Sequence, residues 1–168
     1  MLCRDMLDDG IAPDEYTIVT LLTTVARVRG AEVSTHTVER IARLKQKHGI
    51  NMNKHMCCAF IQAYRRCHDV EPSEICRRAE AVMKEAADGN VKLNAFVLNA
   101  MISIYWEAFQ YDKAKEQYDR MIELEIFPTY YTCEVMSSVC AEVGWMDEAV
   151  EFRKLQHTLS VTDAGDGS

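Results

Sequence analysis

The chain has 168 residues, of which 48% are apolar and 27% charged, and its formal net charge is −7. These proportions are typical of a folded protein and exclude a disordered one, while seven glycines and three prolines are few for a β-rich fold and favour helices. The longest run without a charged residue, Leu93 to Trp106, has 14 residues and is shorter than the ~20 that span a membrane.

Charge is distributed unevenly along the chain. Residues 1–94 carry 14 basic and 13 acidic side chains, whereas residues 95–168 carry 5 basic and 13 acidic ones. An acidic total is untypical of nucleic-acid binders, and such asymmetry indicates different neighbours for the two halves. Solvated helix faces are the alternative explanation.

The seven cysteines predict free thiols in a reducing compartment, because their number is odd. His55, Cys58, Cys67 and His68 lie close together in sequence, but their spacing fits no metal-ligand pattern. No glycine-rich phosphate loop or nucleophile motif is present either. We therefore expect no enzyme activity, no metal, no cofactor and no small-molecule substrate.

Apolar residues recur at helical spacing in eight segments, which alternate between a more apolar first helix and a more charged second helix. Ser73, Asp112 and Asp147 are predicted N-caps of second helices. Gly30, Gly49, Gly89 and Gly144 fall at predicted breaks between helices. The predicted first helices are Glu15–Val28, Lys54–Cys67, Ala95–Ala108 and Tyr130–Val143, and the second helices are Thr35–His48, Ser73–Asp88, Asp112–Leu124 and Asp147–Thr158.

Internal repeats determine the predicted architecture. Met6, Ile11, Pro13, Tyr16 and Thr17 recur 115 residues later as Met121, Ile126, Pro128, Tyr131 and Thr132. A two-helix unit cannot bury its own apolar face, whereas stacked units can. The fold class is therefore all-α, an α-solenoid of stacked antiparallel helix pairs; the alternative is a compact monomer whose ends are covered by their own polar faces.

The repeat pattern divides the chain into six segments. Residues 1–14 are read as the end of a preceding repeat, and residues 160–168 as a disordered tail. The four repeats between them are 15–53, 54–94, 95–129 and an incomplete 130–159.

The pattern resembles the pentatricopeptide repeat family over roughly residues 1–156. The tetratricopeptide repeat is the nearest rival, but the Pro-Asp-x-Tyr-Thr junction and the fifth-position Asn of the third repeat favour the first. The residues that carry the resemblance are Gly10 to Asp14 with Tyr16 and Thr17, Asn99 to Tyr105, Asp112 to Ala114, Met121, Pro128, and Gly144 to Ala149.

This resemblance implies binding of single-stranded RNA, with one base per repeat read on the face formed by the first helices. In the family, the fifth and last residues of a repeat contact the base edge, and the second residue packs against the base plane. The implied edge-reading pairs are Val19 with Asn53, Cys58 with Asn94, and Asn99 with Thr129, followed by Glu134 without a partner; the implied stacking residues are Tyr16, His55, Phe96 and Tyr131.

The implied edge readers differ in their chemistry. Val19 has no side-chain donor or acceptor, and Cys58 is a weak donor. Glu134 could accept from a cytosine amino group but would repel phosphates. Only the pair Asn99 and Thr129 has the side-chain donors and acceptors usual for contacting a base edge. By the resemblance to the family, a fifth-position Asn implies a preference for pyrimidines. The alternative is that most repeats do not read bases and that the four rings pack between repeats.

Phosphate contacts require basic residues on the same face. The candidates lie on the first two first helices: Arg27, Lys54, Arg65 and Arg66. The third and fourth first helices have none, so we expect RNA contact to concentrate on the N-terminal repeats.

Two functions follow from these patterns. The first is RNA binding in RNA metabolism of the mitochondrion or chloroplast, a location implied by the resemblance alone. The second is a protein-interaction scaffold or structural subunit of a large organellar assembly such as a mitochondrial ribosome, with protein partners bound through the acidic C-terminal repeats. Neither involves a membrane.

Overall fold

The computed structural model describes residues 12–27 and 33–165, with side chains described up to residue 160. Over these ranges the chain forms eight α-helices, and the all-α prediction is confirmed; an isolated parallel bridge joins Val33 and Cys67. No helix in these ranges is both long and apolar enough to cross a bilayer. The helices are α1 (Glu15–Arg27), α2 (Thr35–Lys47), α3 (Lys54–Arg65), α4 (Pro72–Asp88), α5 (Ala95–Glu107), α6 (Tyr111–Glu123), α7 (Tyr130–Val143) and α8 (Met146–Gly165).

The chain divides into two compact units between Lys92 and Leu93, which is two residues before the predicted start of the third repeat. In the first unit, α1 packs against α2 and against α3, and α3 packs against α4. The fully buried side chains of Ile18, Leu22, Met56 and Ile61 form the core between the two first helices, α1 and α3.

The second helices of the first unit are joined by ion pairs. Lys45 on α2, whose side chain is buried, pairs with Glu85 on α4. Arg78 on α4 lies 2.9 Å from Glu39 on α2. These two ion pairs connect the second helices α2 and α4 through their side chains.

The second unit contains the other four helices. The first helix α5 packs against α6 and α7, and α7 packs against α8. Leu98, Met101, Met121 and Met136 are wholly or almost wholly buried among them. Each unit therefore contains four of the described helices.

Several helices end at a residue in the left-handed backbone conformation. After α2 and α7 the left-handed residue is Gly49 or Gly144, as the positions of the glycines predicted. After α4 it is Asn90 rather than Gly89, and after α6 it is Glu125. At Glu125 the next amide, that of Ile126, donates to the carbonyl of Met121 at 2.9 Å, which closes the helix.

The predicted N-caps of the second helices are wrong. Helix α4 begins at Pro72, after Glu71, because proline is favoured at the first helical position. Helix α6 begins at Tyr111, after Gln110, and α8 begins at Met146. Ser73, Asp112 and Asp147 therefore lie inside the first turn, where carboxylates and hydroxyls still suit the positive end of a helix.

The structure describes the C-terminal part of the chain further than the N-terminal part. Residues 1–11, which hold most of the predicted end of a preceding repeat, and Gly30 lie outside the described residues. At the other end, α8 continues to Gly165, into the segment 160–168 that was predicted to be disordered. Ser160 to Asp163 contain no glycine or proline, so nothing in them interrupts the helix.

Candidate nucleic-acid interface

The second residue of each first helix is an exposed ring. Tyr16 is 79% exposed, Phe96 54% and Tyr131 36%, and His55 is also exposed. The residues that follow them, such as Ile18, Met56 and Val97, are buried. The register of each helix therefore turns its second side chain away from the core, onto the surface. The stacking role of these rings stays a prediction.

The last residue of each repeat has a structural role that was not predicted from the sequence. It is the N-cap of the first helix of the following repeat. Asn53 Oδ1 accepts from the Met56 amide at 2.8 Å. Asn94 Oδ1 accepts from the Val97 amide at 3.0 Å. Thr129 caps α7 in the same way. A polar residue of the Asn, Asp, Ser and Thr set directly before each first helix was the available signal.

The same duty explains the repeated Tyr-Thr motif. Before α1, Asp14 accepts from the Thr17 amide at 2.8 Å and from its hydroxyl at 2.7 Å. These hydrogen bonds, first that from the Thr17 side chain, hold the pKa of Asp14 below its usual value. Before α7, Thr129 and Thr132 form a capping box in which each backbone amide donates to the other hydroxyl. The motif shared by the first and fourth repeats is therefore a helix-start motif.

The first two predicted edge-reading pairs offer few side-chain groups that could hydrogen-bond a base edge. Val19 is half-buried and apolar. Its partner Asn53 also donates from Nδ2 to Glu15 Oε2 at 2.7 Å, so both ends of its carboxamide are engaged. Cys58 is half-buried, and burial raises the pKa of its thiol. Asn94 lies in the other compact unit.

The third pair, Asn99 and Thr129, is brought together by the fold. Asn99 is only 7% exposed, and its Nδ2 donates to Thr129 Oγ1 at 3.1 Å. Its Oδ1 accepts from Thr132 Oγ1 at 2.7 Å. The carboxamide of α5 is thus bound to the capping box of α7, and Thr132 is a site residue that the sequence analysis did not single out.

A second polar contact joins the same two helices. Ser103 Oγ donates to the backbone oxygen of Asn99 at 3.1 Å and lies 2.9 Å from the phenol oxygen of Tyr131. Since Ser103 has one hydroxyl proton and gives it to Asn99, Tyr131 is the donor in the second bond. This bond fixes the Tyr131 ring against α5.

Charged residues, including two of the predicted phosphate contacts, occupy the same position in all four repeats. Arg27 and Arg66 each stand at the thirteenth residue of a repeat, and in the second unit the same position holds Glu107 and Glu142; all four are exposed. Lys54 and Glu134 are exposed, and Arg65 is half-buried. The charge asymmetry of the sequence is therefore reproduced at a single repeat position, positive in the first unit and negative in the second.

The thiols of Cys57 and Cys67 are buried. Burial raises the pKa of Cys57 to about 12, and burial, with the nearby charge of Asp69, raises that of Cys67 to about 12. A thiol with so high a pKa carries almost no thiolate at neutral pH, and thiolate is the nucleophile and the metal ligand. Within the described part of the chain, no group of three metal-ligating side chains is assembled.

Known proteins include relatives and structural neighbours of this chain, although no protein-family model matches it. A mitochondrial pentatricopeptide repeat-containing protein of Arabidopsis thaliana is 24% identical over 152 residues, which are 90% of this chain and 15% of that protein. A chloroplastic pentatricopeptide repeat-containing protein of the same plant is 27% identical over 143 residues, 85% of this chain and 21% of that protein. The chain spans less than a quarter of the length of either relative.

A structural neighbour agrees with these relatives. It is the crystal structure of the pentatricopeptide repeat domain of Arabidopsis thaliana protein-only RNase P 1 in complex with tRNA, with a TM-score of 0.76 and 13% identity, covering 95% of this chain and 79% of that one. Paired helices with a repeated surface register define the chain as an α-helical repeat protein. Within that class it is similar to pentatricopeptide repeat proteins, as the sequence resemblance predicted.

Proposed function

We propose that this chain binds single-stranded RNA through the first helices of its repeats, and that it acts in a mitochondrion or chloroplast. The observation that carries the proposal is the exposed ring at the second position of all four first helices, Tyr16, His55, Phe96 and Tyr131. Exposed rings in a fixed repeat register suit unstacked bases, because every base has a π-face.

Electrostatics restrict where RNA would lie. Arg27, Lys54 and Arg66 are exposed on or directly after the first helices of the first unit and would neutralise phosphates. Glu107, Glu134 and Glu142 are exposed on the corresponding helices of the second unit and would repel them. We therefore assign the phosphate contacts to the first unit, with ring and amide contacts from both units.

Support for RNA as the ligand also comes from the structural neighbour, which is named in complex with tRNA. The relatives are named as mitochondrial and chloroplastic proteins, which supports the proposed location. We propose action by occupancy rather than catalysis, since the described site consists of rings, amides and guanidinium groups without an assembled nucleophile and base. The scaffold alternative has no comparable support.

Binding to a random-sequence single-stranded RNA pool at low salt tests the proposal. Phe96→Ala should weaken binding about fivefold or more, because a stacked ring contributes ~1–3 kcal/mol. Phe109, two residues after the end of α5 and 76% exposed, provides the control, since Phe109→Ala removes a still more exposed ring outside the second-position register. Undetectable RNA binding at low salt, or equal effects of the two variants, would contradict the proposal.

A further inference from the structure

A groove lies between the second helices α6 and α8 of the second unit, and we call it the α6–α8 groove. Its volume is about 290 Å³, and α7, which packs against both helices, contributes Met136 and Cys140 to its lining. Tyr118 of α6 and Phe152 of α8 are in edge-to-face contact, with ring centroids 4.9 Å apart. Trp145, the residue before α8, adds a third ring. All three rings are half-buried, so each keeps a surface that a bound group can contact.

Two carboxylates also line the α6–α8 groove. Glu148 and Glu151 on α8 are exposed, and neither forms an ion pair or a hydrogen bond within the part of the chain that the structure describes. The basic lining residue, Lys115, is engaged on its own helix, where its Nζ lies 3.0 and 2.9 Å from the two carboxylate oxygens of Asp119. The bond to Asp119 is the first cause of the raised pKa of Lys115, and the charge of Glu148 is the last. The groove therefore combines aromatic walls with negative charge that its own lysine leaves largely uncompensated.

The second helices of the first unit show what such a place accommodates. There the chain supplies the cation itself, since Lys45 of α2 is 4% exposed and pairs with Glu85 of α4. Arg78 of α4 likewise lies 2.9 Å from Glu39 of α2. Two second helices of this chain thus enclose long basic side chains that a carboxylate of the neighbouring helix neutralises. The α6–α8 groove offers the carboxylates for such a pair, while its lysine is bound within α6.

The geometry points to the α6–α8 groove as a binding site for an arginine side chain of a partner protein. The aliphatic part of arginine suits the apolar lining, and its planar guanidinium both stacks on aromatic rings and pairs with carboxylates. The volume of about 290 Å³ is below the ~300–1,000 Å³ of most small-molecule sites and suits a single side chain. Glu148 and Glu151 would repel the phosphates of RNA, which favours a protein as the partner. The site shares no residue with the proposed RNA contacts and does not depend on RNA binding.

The indole N–H signals of the chain provide the test. Trp106 and Trp145 are its two tryptophans, so a nitrogen–proton correlation spectrum shows one indole signal for each, and Trp145→Phe assigns them. The probe is a five-residue peptide with one central arginine between small uncharged residues, blocked at both ends. We expect the Trp145 signal to shift saturably at millimolar peptide while the Trp106 signal stays in place. The same peptide with citrulline, which keeps the shape and loses the charge, should bind about fivefold more weakly or less, because cation–π and ion-pair contributions are both lost.

A charge-matched pair of variants locates the site. Glu151→Gln removes a carboxylate of the groove and should weaken binding of the arginine peptide about threefold or more, because a partly screened ion pair contributes up to ~1 kcal/mol. Glu123→Gln makes the same charge change at an exposed residue that does not line the groove. It should leave the affinity unchanged. Equal effects of the two variants would mean that the net charge of the second unit attracts the peptide, and the assigned site would be wrong.

The other outcomes are equally decisive. An unchanged Trp145 signal, or equal binding of the citrulline peptide, would overturn the proposal. Equal binding of a lysine peptide would overturn the assignment to arginine. If single-stranded RNA shifts the Trp145 signal and displaces the peptide, the groove is a nucleic-acid site. If the signal moves when the chain alone is diluted, the occupant is a second copy of this chain. Either of these last results would overturn the assignment to a partner protein.

Discussion

The phenol of Tyr131 on α7 donates a hydrogen bond to Ser103 on α5 at 2.9 Å. Ser103 is 1% exposed, so this bond links an exposed ring to a buried hydroxyl of the neighbouring first helix. Tyr131 is thus the second-position ring whose place is fixed by a side chain of the preceding repeat.

Tyr131→Phe tests the contribution of this bond. We expect the free energy of unfolding to fall by about 1 kcal/mol, because the variant removes a donor to a buried hydroxyl and keeps the ring. Urea denaturation followed by circular dichroism measures the change. Tyr130→Phe is the control, since the adjacent phenol makes no hydrogen bond within the described residues; an equal loss in both variants would contradict the role of Ser103.

Asp69 predicts a pH dependence of stability. Burial tends to raise the pKa of Asp69, but hydrogen bonds from the amide and hydroxyl of Thr35 and from Ser34 outweigh it and lower that pKa below 3.8. A carboxylate with a depressed folded-state pKa contributes stability that is present above the unfolded-state pKa and is lost as pH falls through the folded-state pKa. The window therefore begins near pH 4 and extends below it.

Asp69→Asn should remove this acid-sensitive part of the stability. In urea denaturation at pH 6 and pH 3, the unmodified chain should lose more stability on acidification than the variant does. Asp88→Asn changes an exposed carboxylate that makes no hydrogen bond in the described ranges, and it should leave the acid response unchanged. Parallel pH profiles for Asp69→Asn and the unmodified chain would refute the assignment.

Glu125 predicts a stabilising substitution. Its φ of 55° places a residue with a Cβ in the left-handed region, where glycine carries no steric penalty. Glu125→Gly should raise the free energy of unfolding by about 0.5–1 kcal/mol, the relieved strain less the entropy that glycine adds to the unfolded chain. Glu116→Gly, inside the exposed face of α6, should lower it by about 1 kcal/mol. Thermal denaturation of both variants measures the opposite signs.

Glu142 tests the electrostatic assignment of the proposed RNA surface. It occupies the repeat position that Arg27 and Arg66 hold in the first unit. Glu142→Arg should raise RNA affinity at low salt and steepen the dependence of log affinity on log salt by about one phosphate contact. Glu116→Arg makes the same charge change on a second helix, and its effect should be smaller. Equal effects would mean that net charge, rather than position, governs binding.

The sequence was sufficient to predict the helix pairs, because each repeat carries its own apolar spacing and its own break. It was not sufficient to locate the starts of the second helices: Pro72 and Ser73 are both good starting residues, and the backbone decides between them. The contact of Asn99 with Thr132 joins residues 33 positions apart. It depends on how α5 packs against α7, which no local pattern encodes.

The exposure of the second-position rings could not be predicted from the sequence either. Helical spacing alone allowed Tyr16 and Phe96 to be core residues, since aromatic side chains at helical intervals usually are. Only the rotation of each helix about its axis, set by Ile18 and Val97 in the core, turns the second position outward. The register could be predicted from the repeats, but its exposure could not.

The capping duty of Asn53, Asn94 and Thr129 has a consequence for attempts to redesign this protein. A substitution chosen there to change base preference would also have to start a helix. The residue types tolerated at that position are the good N-caps, Asn, Asp, Ser and Thr. A hydrophobic or long basic side chain at that position would remove the N-cap and destabilise the first helix even without a ligand. The residues tolerated there are therefore limited by folding as well as by any contact with a base.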